Sequence, residues 1–159
     1  MEFFWTCFTE FATTTLSILA SACIAYLTFC SQEKKAIAAQ KRVQDFNKQT
    51  VVELFQAAIS NLLFFLTEGS LDFSKQNLSL YCKKLKMIEL SLADMKDIEL
   101  PDEFISSFQY YRYLISDVQI SMEHIIQSAL TDPLPKDAFQ DLDIEQLISD
   151  LSDFVSKYK

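Results

Sequence analysis

Hydrophobic positions along the chain fall into two patterns. Residues 11–32 form a run of 22 residues without a charge, bracketed by Glu10 and Glu33, and beyond it apolar residues recur at steps of three and four with polar residues between them. The run predicts a membrane-spanning helix, since about 20 residues at about 1.5 Å each cross the roughly 30 Å hydrocarbon layer. A core helix of that length ordinarily keeps a charged face, which this run lacks.

Residues 33–50 contain neither Gly nor Pro, so the spanning helix is expected to continue as a stalk. Ala36, Ala39, Val43 and Phe46 give this stalk a thin apolar stripe. Thr50 and Glu53 have the spacing of a capping box, which allows a break near Thr50 without requiring one. Val52, Phe55, Ile59, Leu62 and Leu66 then mark the buried face of a first soluble helix. Gly69, the chain's only glycine, suits the left-handed position that closes it. A second helix is expected from near Ser74, with Leu78, Tyr81, Leu85, Ile88, Leu92 and Met95 on one face.

Pro101 followed by Asp102 and Glu103 fits the start of a third helix, because proline loses nothing in a first turn and acids favour the positive end of the dipole. Its face is Phe104, Phe108, Tyr111, Ile115, Val118, Met122, Ile125 and Ala129; it runs to about Thr131, and Pro133 and Pro135 end it. Asp141 or Asp143 can cap a fourth helix carrying Ile144, Leu147, Leu151, Phe154 and Tyr158. No strand-type alternation of useful length occurs. The expected fold is all-α: a short extracytoplasmic tail over residues 1–10, a transmembrane helix over 11–32, a helical stalk over 33–50, and a cytoplasmic antiparallel bundle of about four helices over 51–159.

Charge adds orientation and removes one function class. The net charge of −8 argues against nucleic acid as a partner, since phosphate binding needs a basic face. Before the run stand Glu2 and Glu10 and no cation; after it come Lys34, Lys35, Lys41, Arg42 and Lys48, which predicts an outside N-terminus and a cytoplasmic C-terminal domain. Phe3, Phe4 and Trp5 would then lie at the outer interface. A cleaved signal peptide is the rival reading, with Ala20-Ser21-Ala22 as a small-residue site, but its n-region lacks a basic residue and apolar sequence continues through Ile24, Tyr26, Leu27 and Phe29. The membrane-proximal cations Lys34, Lys35, Lys41 and Arg42 either set topology alone or also attract anionic headgroups.

Within the run, Thr13, Ser17, Ser21 and Ala25 recur every fourth residue, a small-residue face on which a second transmembrane helix can approach closely. Hydroxyls in membrane helices also simply bond their own backbone.

Little in the sequence carries chemistry. Cys7, Cys23, Cys30 and Cys82 form no CxxC pair, so no metal site or disulfide framework is readable, although Cys30 at the membrane edge is a candidate for acylation. His124, the single histidine, falls between core positions Met122 and Ile125 and is expected to face water, without the carboxylate spacing of a di-metal site. Asp137, Asp141, Asp143 and Glu145 invite a calcium loop, but Gln146 and Ser152 stand where its glycine and final glutamate belong. One glycine leaves no phosphate-cradling loop. Lys83, Lys84 and Lys86 read as a solvated face or a docking patch for an acidic partner. Tyr110 and Tyr113 exceed what one buried stripe can hold and are candidate interface anchors.

The functional expectation is a non-enzymatic interaction or assembly protein without cofactor or metal, whose partners are the lipid bilayer and either a second copy or another membrane protein. The alternative is a membrane-acting effector or pore component that oligomerises through its transmembrane helix. An enzyme is the remotest reading, since no nucleophile, base and oxyanion donors converge in the sequence.

Overall fold

The computed structural model describes residues 2–67, 74–95, 100–135 and 137–159, and side chains from residue 13 onward within them. The described residues hold four helices and no strand: α1 (Glu2–Thr67), α2 (Lys75–Ala93), α3 (Asp102–Ser128) and α4 (Ile144–Tyr158). The chain divides into two compact units, Met1–Arg42 and Val43–Lys159.

The first unit is helical throughout its described length and has no core of its own. Among its large apolar side chains Leu16, Tyr26 and Leu27 are each about two thirds exposed, at 68%, 68% and 67%. Thr28 Oγ1 turns back onto the Ile24 carbonyl at 2.8 Å, so this hydroxyl is satisfied within its own helix.

The second unit has one hydrophobic core to which all four helices contribute. Phe55 of α1 lies at its centre, fully buried, with its ring against Phe108 and Tyr111 of α3 and Phe154 of α4 at centroid separations of 6.4, 6.2 and 5.2 Å. Edge-on and offset rings at such separations add to what their area alone contributes. Phe104 and Phe154 extend this cluster toward Tyr158. Phe65 meets Tyr81 of α2 and Phe139 of the segment before α4.

Local signals account for most helix limits. Ser74 takes an extended conformation and its Oγ accepts from the Asn77 amide at 3.4 Å, capping α2. Pro101 occupies the cap position of α3, one residue before the helix proper, with Asp102 and Glu103 in its first turn. The break that the Thr50–Glu53 spacing allowed is not taken: Thr50 lies inside α1, where its Oγ1 donates to the Phe46 carbonyl at 3.0 Å and Glu53 accepts from Gln49. Two expectations need correction. The third helix ends at Ser128 rather than about Thr131, because Ala129 leaves helical geometry and its carbonyl accepts from Lys75 Nζ at 2.7 Å. Asp143 stands at the cap of α4, yet its side chain makes no capping hydrogen bond. Gly69 lies outside the described residues.

The buried faces follow the expected stripes with a change of phase. In α1 the core residues are Val51, Val52, Phe55, Ala58, Leu62 and Phe65, while Ile59 and Leu66 sit at the margin. In α3 Gln119 is buried, and Tyr111, Val118 and Ile125 pack partly buried against the core.

Candidate functional site

Three sets of residues singled out by the sequence lie on exposed surfaces rather than in one site. Thr13, Ser17, Ser21 and Ala25 are all exposed on α1, in the apolar part of the first unit. Lys34, Lys35, Lys41 and Arg42 follow on the same helix and are exposed as well. Tyr110 and Tyr113 project from α3 with 56% and 67% of their surface open, although neighbouring Tyr111 packs into the core and meets the Tyr110 ring edge-on at 5.2 Å.

The helix periodicity explains this division. Positions 104, 108, 115 and 122 of α3 face the core, so 110 and 113 fall on its far side. His124 is exposed on that helix too. Among the described residues no three His, Cys, Asp or Glu side chains gather as a metal-holding group.

One constellation went unread in the sequence. Between α2 and α3, a pocket of about 150 Å³ is lined by Cys82, Lys83, Lys86, Glu123, Ile126 and Gln127, with Ser79 at its edge. Gln119, buried on α3, contacts two of these residues. Its Nε2 donates to Glu123 Oε2 at 2.9 Å and lies 3.6 Å from Cys82 Sγ, and the thiol in turn lies 3.6 Å from the Gln119 carbonyl. Gln127 donates to the other Glu123 oxygen at 3.2 Å, and Lys86 Nζ pairs with Glu123 at 3.4 Å. Gln119, Glu123 and Gln127 are one turn apart, a spacing visible in the sequence; that Cys82 and Lys86 meet them is a tertiary fact.

The electrostatics of this pocket are set by burial and by its own hydrogen bonds. Burial pushes the Cys82 thiol above its ordinary range, and the Glu123 charge adds to that, against the Gln119 hydrogen bond and the Lys86 charge. The thiol therefore stays protonated near neutrality, and the thiolate is the reactive form. Hydrogen bonds from Gln119 and Lys86 hold Glu123 below the usual carboxylate range.

A second buried amide joins α1 to α2: Asn61 Nδ2 donates to the Tyr81 carbonyl at 3.0 Å. The α1 helix is long and apolar enough to cross a membrane, and its qualifying apolar window is wholly unburied. Comparison with protein-family models, with curated proteins and with solved structures returns no match to this chain, so its reading rests on its own residues.

Proposed function

We propose that the chain is a single-pass membrane protein whose N-terminal helix anchors a cytoplasmic antiparallel helical bundle, and that it works by assembly, holding itself or a membrane protein partner at the cytoplasmic face. The observation that carries this reading is the exposure of the apolar part of α1. Leu16, Ile18, Leu19, Ile24, Leu27 and Phe29 are each 60% or more open. Each would lose about 1.5–3 kcal/mol of burial if left in water, which a lipid environment supplies.

Pairs of contacting residues support the antiparallel arrangement, because the number of one rises as that of the other falls. Between α2 and α3, Lys75 bonds Ala129 and Cys82 meets Gln119. Between α1 and α4, Lys48 lies over the Tyr158 ring at 5.1 Å and Phe55 meets Phe154. The connections from α1 to α2 and from α2 to α3 are short enough to favour antiparallel neighbours, while that from α3 to α4 is longer. The cations at 34, 35, 41 and 42, with none before residue 13, support a cytoplasmic bundle.

Assembly has two supports: the small-residue face of the span and the exposed tyrosines of α3. Native mass spectrometry of the full chain extracted in mild detergent is the test. An oligomer or a retained membrane partner is expected; a strictly monomeric chain that retains no partner overturns the reading.

A further inference from the structure

We infer that the outer face of α3 is a docking surface for the outer face of α2 on a second copy of this chain. The inference rests on the assembly reading above and names the partner. On α2, the side turned away from the core carries Leu80, Lys83, Met87 and Leu90 at steps of three, four and three, with Met87 70% exposed. On α3, the side turned away from the core carries Tyr110, Tyr113, Asp117 and Ile120 at the same steps, all exposed.

The two stripes match when the helices run antiparallel. Leu80 then meets Ile120, Lys83 meets Asp117, Met87 meets Tyr113 and Leu90 meets Tyr110, so each step of one stripe falls on a step of the other. The charge of the α2 stripe stands second from its start and that of the α3 stripe third, so antiparallel pairing alone brings opposite charges together. The apolar pairs are well suited: a methionine sulfur against a tyrosine ring gains beyond area burial, and tyrosine presents a large contact surface. Gln109, Ser116 and Ser121 flank the α3 stripe, so Lys84 and Lys86 beside the α2 stripe face no like charge.

A second copy is the occupant because both halves of the match, the basic aliphatic stripe and the acidic aromatic one, lie on the same chain. Two four-residue stripes cover less than the ~800 Å² per partner of a standard interface. The contact is accordingly weak between free domains and strengthened when anchors hold the domains at high local concentration.

The test places a photo-crosslinking residue at Met87 of the full chain in detergent and maps the products by mass spectrometry. Intermolecular products ending in residues 110–120 are expected. Lys83→Glu should lower their yield about tenfold, and Asp117→Lys added to the same chain should restore it. Both positions are exposed, so the fold is kept and circular dichroism verifies it. Products that map elsewhere, a yield unmoved by Lys83→Glu, or no recovery in the double variant would overturn the inference. An oligomer seen in native mass spectra with Met87 products elsewhere would sink this interface alone, leaving the assembly reading standing.

Discussion

Phe55 touches more of the core than any sequence rule assigns it. Its ring contacts reach both α3 and α4, so truncation opens a hole that no single neighbour can fill. Phe55→Ala is expected to destabilise the second unit by about 3–5 kcal/mol, read from denaturant midpoints followed by circular dichroism. Two groups tie that core to alkaline pH. Cys82 is raised above its ordinary 9.0, by burial first, and Tyr111 above its ordinary 10.0, by burial first and then by the charge of Asp150. For each, ionisation is easier in the unfolded chain, so the stability is complete below the unfolded value and falls as pH climbs through the folded one. The denaturation midpoint should hold between pH 7 and 8 and drop by pH 10 to 11, and Cys82→Ala should flatten the first part of that decline. A midpoint that does not move across this range would contradict the assignment.

At the level of single helices, α2 carries the clearest local instruction. Its Ser74 cap satisfies an amide that the helix leaves without an intrahelical partner, and Ser74→Ala is expected to cost about 1 kcal/mol in the same denaturation measurement. The start of α2 and the acids opening α3 were legible because capping is written in adjacent residues. The phase of the α1 stripe was not. Val51 and Val52, Ala58 and Ile59, and Phe65 and Leu66 are neighbouring apolar pairs, so two stripes one residue apart read equally well. The core took both valines and then Ala58 and Phe65, because this helix is covered from more than one side, by rings of α2 and of α4. Gln119 was hidden for a related reason. A glutamine reads as surface, and its burial depends on a glutamate one turn on and a cysteine from another helix.

For the molecule as a whole, the unburied apolar stretch of α1 and the cations after it lead to a topological expectation. Converting Lys34, Lys35, Lys41 and Arg42 to glutamate should move a substantial fraction of chains to the opposite orientation, detected by protease protection of the C-terminal domain in sealed vesicles. Full retention of the original orientation would show that other features set it. The candidate assembly surfaces were partly legible: Tyr110 and Tyr113 stand out by composition and Lys83 as part of a basic group, whereas Leu80, Met87 and Leu90 carry no local signal that joins them to it. The buried amide of Gln119 lies on the opposite, core-facing side of α3, where that helix packs on α2 within the chain. An aliphatic core would tolerate α2 sliding along α3 by a turn, because leucines substitute for one another at little penalty. Such a slide would part Gln119 from Cys82 and Glu123 from Lys86, while the Gln119–Glu123 bond within α3 would remain. The contacts of Cys82 and Lys86 with this cluster would thus favour one height of α2 against α3. Gln119→Leu is expected to preserve thermal stability while splitting amide resonances of α2 into more than one set; a single unchanged set would show that the apolar contacts fix the register unaided. Under the inferred pairing of an α2 stripe with an α3 stripe, the spacing between copies would follow from that internal alignment.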